Sequence, residues 1–299
     1  MRGALASPSR HLRAAGWWLG GVALLISLLG GYRVVNAGST DPARGAAVAL
    51  AFDGASQTLL KASADALYRS GDGGRHWVPV KLPAAAETRR IASVAVAAGG
   101  KGLIYIAGPG IGVLRSEDGG QSWLARHVGL PESPVEALAT HADQPETVFA
   151  YMTGHGFFRS HDGGLHWQLM DAGPRGGIVR FVHSNMPGSM QTGWLFAATG
   201  QGVRRAMDCF CGWRDAGELG HPVTALAYDP RRPQNVYATT DEGLFLSANG
   251  GEQWSRVSAP AAAVRALVVT PGGLVYAASA DGTLFLSRDE AKTWERVGA

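Results

Sequence analysis

Residues 160–167 read SHDGGLHW, with Asp162 set between His161 and His166 and two glycines beside it. Imidazole and carboxylate groups this close can share a proton or hold a divalent cation, so the stretch first suggests an acid–base or metal site. The other side chains with usable chemistry are Cys209 and Cys211, a set of loop carboxylates (Glu87, Glu132, Asp171, Glu218, Asp241) and several arginines between apolar runs. A glycoside hydrolase would need two such carboxylates facing one another, and the sequence assigns them no pairing.

The stretch recurs, which changes its meaning. SGDGGRHW (70–77), SEDGGQSW (116–123), SANGGEQW (247–254) and SRDEAKTW (287–294) align with it, and AMDCFCGW (206–213) keeps only the aspartate and the tryptophan. The tryptophans, Trp77, Trp123, Trp167, Trp213, Trp254 and Trp294, are spaced by 46, 44, 46, 41 and 40 residues. A period near forty is the mark of a repeat architecture. Around each box lie short apolar or alternating runs separated by Gly, Pro and Asp, as in VEALATH, TVFAYMTG, FFRS and HWQLM; this is the pattern of four strands per unit. The expected fold is all-β: a six-bladed β-propeller of four-stranded blades over residues 46–299, with each box in the turn between the third and fourth strands. No strand is left over to close the ring, so closure must rest on packing between the first and last blades.

Within that frame, Asp72, Asp118, Asp162, Asp208, Asn249 and Asp289 are read as turn formers whose side chains accept backbone N–H groups, and the six tryptophans as anchors for the outer strands. Asn249 supports this, since asparagine can hold a turn but is a poor general acid. His76 and His166 occupy a slot that Ser122 and Gln253 fill elsewhere, and no box has the alternating oxygen ligands and later glutamate of an EF-hand. No metal or cofactor is expected.

The boxes resemble the Asp-box, or BNR, repeat, Ser-x-Asp-x-Gly-x-Thr-Trp, over residues 46–299. The resemblance implies boxes at the periphery, away from the ligand face. The repeat is shared by sialidases, other glycoside hydrolases, sortilin-type receptors and photosystem II assembly and stability factors, so it implies a fold and not an activity. A sialidase-like site would need an arginine triad, a tyrosine nucleophile assisted by glutamate and an aspartate acid. The early Arg-Ile-Pro motif of those enzymes is represented only by Arg90-Ile91-Ala92. Assembly-factor propellers present an arginine-rich face to a membrane partner, usually on seven blades against the six expected here.

The front of the chain differs in kind. Residues 1–13 hold Arg2, Arg10 and Arg13 and no acid, and are expected to be a cytoplasmic basic terminus. Ala14 to Tyr32 runs nineteen residues without a charge, long enough to span a bilayer. Residues 14–35 are therefore expected to form one transmembrane helix, 36–45 a linker, and the propeller to lie on the exported, periplasmic or extracellular side. The alternative is a signal peptide cleaved near Ala37, after which the protein would be secreted. The pI near 9.0 comes from this segment: beyond residue 37, 23 basic residues face 24 acidic ones, which removes the electrostatic case for nucleic-acid binding. Cys209 and Cys211 are read as two thiols in a divergent turn, and an exported location permits a strained disulfide between them as the alternative.

Function is then expected on the face opposite the boxes, formed by the turns between second and third strands and by the crossings between blades. Those turns are short, which predicts a flat, open face. The crossings carry Arg44, Arg89, Arg90, Arg175, Arg180 and Arg265, a candidate patch for carboxylates or an acidic partner loop. The reading is a non-catalytic, membrane-anchored scaffold, assembly factor or accessory subunit of a membrane-protein complex. An exo-sialidase-like or other glycoside hydrolase is the alternative, and carbohydrate is the less favoured ligand.

Overall fold

The computed structural model describes residues 45–99, 102–210 and 212–298. They form six four-stranded antiparallel sheets, each running in chain order from inner to outer strand. The inner strands are Ala47–Asp53, Ser93–Val96, Ala137–Thr140, Arg180–Ser184, Ala225–Asp229 and Val264–Val269, and each touches its neighbours around a ring, the last meeting the first. The all-β six-bladed propeller is thus present. One four-residue helix, Ala84–Glu87, sits in the crossing from blade one to blade two. The expected membrane segment and Arg44 lie outside the described residues, and among the described residues no helix is long and apolar enough to cross a membrane.

The strands read as continuous apolar runs because both faces of each sheet are buried. In blade three, Val148, Ala150 and Met152 of the second strand pack toward blade two, while Phe149 and Tyr151 pack toward blade four. Period-two alternation thus sends successive side chains into different cores. The six apolar clusters each lie between two adjacent blades. Blades one and six share no strand; Leu50 and Leu59 pack with Ala266, Tyr276, Leu284 and Leu286 to close the ring, and Lys61 reaches across to the Gly282 carbonyl.

The five full boxes share one geometry. The serine Oγ (Ser70, Ser116, Ser160, Ser247, Ser287) donates to the Oδ1 of the Asp or Asn two residues on, at 2.7–2.9 Å. The same Oγ accepts the N–H four residues on at 2.7–2.9 Å. Oδ1 in turn accepts the N–H of the residue before the tryptophan. That residue's side chain also donates to Oδ2: His76 and His166 through Nδ1 at 2.6 Å, Ser122 and Thr293 through their hydroxyls at 2.5 and 2.6 Å. The histidines therefore do a hydroxyl's work. The tryptophan ring nitrogen reaches the preceding blade: Trp123 to Lys81 O (3.1 Å), Trp167 to Arg126 O (2.8 Å), Trp254 to Ala216 O (2.7 Å) and Trp294 to Ser258 O (2.9 Å).

Two outcomes follow. Trp254→Phe leaves Ala216 O without its donor and replaces the packed indole by a smaller phenyl, and should cost about 1–3 kcal/mol in urea unfolding. The hydrogen bonds from the residue four on also hold Asp118 and Asp289 down to about 2, and Asp72 and Asp162 lower still. A carboxyl depressed on folding stabilises fully above its unfolded pKa, near 4, and loses that contribution as pH falls through its folded value. The melting temperature should therefore fall as pH drops from about 4 toward 2, and Asp118→Asn, titration-silent like Asn249, should flatten that slope.

Candidate functional site

The fourth blade departs from the box geometry, and here the sequence expectation is corrected. Asp208 does not clamp its own turn. It is buried, accepts the Thr192 N–H and hydroxyl, and lies 3.5 Å from His183 Nε2. With no serine two residues before it, nothing draws its carboxylate back over the turn. Trp213 keeps its orientation but donates to Asp171 Oδ1 at 2.8 Å instead of a backbone carbonyl. Asp171, one of the candidate acids, is thus occupied as an inter-blade acceptor. Cys209 is disulfide-bonded, and Cys211, the only other cysteine of the chain, lies outside the described residues.

His141, His183 and Asp208 form a buried cluster with ligand atoms within 4.8 Å, the sort of constellation that holds a metal. The tautomers argue against that use. His141 Nδ1 accepts the N–H groups of Asp143 and Gln144, and His183 Nδ1 accepts that of Ala142, all at 3.1 Å. Each ring therefore carries its proton on Nε2, the atom that faces the cluster and would have to coordinate the ion. His141 Nε2 donates to Thr192 Oγ1 at 2.7 Å, and Thr192 donates to Asp208. The rings stack at 3.9 Å, and burial, then the neighbouring His183, pushes His141 down to about 4. The cluster is a hydrogen-bond relay between blades three and four. Sequence reading missed it because its members come from three distant segments. Asp208→Ala should cost about 1–3 kcal/mol by leaving buried donors unpaired, while Asp208→Asn should retain most of the stability, both measured by urea unfolding.

The crossing arginines do not form one patch. Arg89, Arg90, Arg175 and Arg265 are exposed and make no ion pair with a described side chain. They stand at the one-to-two, three-to-four and five-to-six crossings, each two blades from the next. Arg180 is turned inward, where it donates to the carbonyls of Ala92 and Val48 on blades two and one. At the head of an inner strand, its side chain extends across the axis and not outward.

The face opposite the boxes is not flat either. A groove of about 560 Å³ runs between the helical crossing (Ala85, Ala86), the Gly110–Gly112 turn and the 130–135 crossing. Arg89 borders it, its guanidinium lying against Gly110. Glu132 lines it, while Glu87, Glu218 and Asp241 stand exposed elsewhere.

The central channel holds a second cavity of about 540 Å³, lined by all six inner strands and by the turns that follow them at Gly54–Ala55, Ala98–Gly99, Ala142, Pro230 and Pro271. Those turns belong to the box side of the ring, since first-to-second and third-to-fourth connections share a face in an up-and-down sheet. The cavity therefore opens on the face that the sequence reading set aside. Asp53 is the only carboxylate among its lining residues, and it is held by Ala55 N and Ser56 Oγ at 2.9 and 2.6 Å. A facing pair of acids is not available there.

Among known proteins, the sequence profile of the family described as photosynthesis system II assembly factor YCF48 matches residues 41–190. No curated protein sequence matches the chain. Similar solved structures include a GH74 enzyme from Niastella koreensis (TM-score 0.60, 17% identity, 85% of this chain and 47% of that one). They also include YCF48 bound to D1 peptide (0.56, 20%, 85% and 83%) and YCF48 from Cyanidioschyzon merolae (0.57, 17%, 85% and 86%). The chain thus spans about half the length of the GH74 enzyme, and at these identities the likeness is one of fold.

Proposed function

The chain belongs to the photosynthesis system II assembly factor YCF48 family, and from that premise we propose that it is a non-catalytic assembly factor or accessory subunit that holds a segment of a membrane-protein partner. The observation that carries the reading is the groove on the crossing face. It is lined mainly by apolar side chains, among them Ile111, Leu114, Leu130 and Val135, with His127, Glu132 and Ser133 as its polar members, and is bordered by Arg89. Arg90 on the same crossing, and Arg175 and Arg265 farther round the ring, are exposed without internal acids and are free to meet carboxylates of that partner. A YCF48 solved with a D1 peptide shows that a propeller of this family can accept a peptide, which supports the same class of partner here.

In this proposal the uncharged stretch from Ala14 to Tyr32 anchors the chain in the membrane with the propeller on the exported side. A near-neutral propeller suits this, because recognition then depends on local arginines and groove shape and not on bulk charge. Glycoside hydrolysis has the likeness to GH74 in its favour, but the central channel offers one carboxylate where that chemistry uses two.

The test is affinity recovery of the full chain from gently solubilised membranes. The wild type should bring down a membrane protein. Arg89→Ala with Arg90→Ala should reduce that recovery by about tenfold or more, the scale of losing charge-assisted hydrogen bonds. Equal recovery by the variant, or recovery of a lone monomer by both, would refute the reading.

A further inference from the structure

The channel cavity has a floor, a wall and a mouth of different chemistry. The floor is Arg180, the one cationic side chain lining the cavity. It sits at the head of its strand, on the crossing side, and two of its N–H groups are taken by the carbonyls of Val48 and Ala92. A guanidinium has five such donors. Among the described residues no carboxylate lies within ion-pair distance of it. Its surroundings are apolar enough that burial alone pushes it down to about 10. A guanidinium held half-buried among apolar side chains without a counter-charge is costly to fold around.

The wall is apolar. Leu50, Val94, Leu138, Val182, Leu226 and Leu267 contribute to it from the six inner strands. Its polar side chains are already engaged: Ser93 with Leu138 O, Thr140 with Val96 O, and the two histidines within their own cluster. His183 Nε2 is the exception, buried 3.5 Å from Asp208 with no hydrogen-bond partner among the described residues. The mouth lies at the opposite end, ringed by turns. Asp53 sits there with its carboxylate bound into its own turn, separated from Arg180 by most of an inner strand.

We propose that this channel binds a small aliphatic carboxylate, entering from the box face with its carboxylate on Arg180 and its hydrocarbon chain along the inner strands. Charge complementarity selects the head group: the carboxylate supplies the counter-charge that Arg180 lacks and can take the donors left free by Val48 and Ala92. The apolar wall selects the chain, and a cavity of about 540 Å³ lies within the range of small-ligand sites. This site is separate from the partner groove, which lies on the other face, so either can be wrong without the other.

Octanoate and octanol are the probes, titrated calorimetrically into the full chain in lipid nanodiscs with empty nanodiscs subtracted. Octanoate should bind to one site per chain and about tenfold or more tighter than octanol, which has the same chain without the charge. Arg180→Gln should remove that preference while leaving octanol binding unchanged. Ala98→Trp, in an accessible turn at the mouth, should block both ligands while leaving the fold, followed by circular dichroism, intact. If Arg180→Gln fails to fold, the octanoate–octanol ratio decides the role of the charge and Ala98→Trp decides the location. Equal affinity for the two probes, or octanoate binding that survives Ala98→Trp, would overturn the proposal.

Discussion

The hydrogen bond from a box tryptophan to the carbonyl of the preceding blade is the contact on which the ring depends. Each blade buries both faces of its sheet, so no blade has a core of its own, and the apolar clusters exist only between neighbours. Apolar packing is not directional and would tolerate blades sliding or tilting. The indole N–H is directional. It meets one carbonyl, at 2.7–3.1 Å in four blades, and fixes those four sheets against the ones before them. The Ser–Asp clamp beneath it exists to aim that ring: serine Oγ, aspartate Oδ1 and the N–H groups of the turn leave the tryptophan one direction to take. Between blades one and six, which share no strand, the packing of Leu59 and Trp77 against blade six closes the circle.

The exceptions show which parts of the box are needed. The last box lacks both glycines, and Glu290 and Ala291 adopt the positive φ that glycine takes elsewhere, at 64° and 66°. Those values are strained for residues with a Cβ, yet the serine and aspartate bonds persist. The clamp therefore outweighs the backbone cost. Blade four lacks both features, with Cys209 and Phe210 in the glycine slots and Ala206 in that of the serine. The serine is missing, the clamp is lost, and Asp208 is drawn into the histidine relay. The tryptophan still stitches, but to the side chain of Asp171. The clamp survives loss of the glycines in the last box and is gone in blade four, where the serine is lost as well.

Much of the fold could be read from the sequence because it is written in periodic residues. Tryptophans at a forty-residue interval, with turn formers before them, specify blade count and strand number without any knowledge of contacts. Roles that depend on long-range neighbours could not be read that way. Asp208 keeps its register in AMDCFCGW, and its burial beside His141 and His183 depends on segments about 25 and 67 residues away. Arg180 reads like the other crossing arginines, and Arg265, also at the head of an inner strand, stays exposed, so strand position alone does not tell them apart. Glu87, Glu132, Glu218 and Asp241 looked equivalent to Asp171 until Trp213 was seen to claim it. The groove on the crossing face was hidden for a related reason: short turns predict flatness, and the relief comes from crossings folding over one another.

The position of Arg180 makes the two faces of the propeller unlike. A propeller channel is ordinarily continuous, and whatever enters one mouth has access to the other. Here a single side chain spans from blade four to the carbonyls of blades one and two, so a guanidinium narrows the crossing end of the channel while the other end opens among the box-side turns. Binding of a large partner on the crossing face must therefore use the rim, where the groove and the exposed arginines are. A small ligand in the channel is shielded from that partner by one guanidinium. Because Val48 and Ala92 lie at the starts of inner strands, any change in how Arg180 divides its donors between them and a ligand acts directly on the spacing of blades one, two and four. The barrier between the faces is thus also the one place where occupancy of the channel could be felt at the rim.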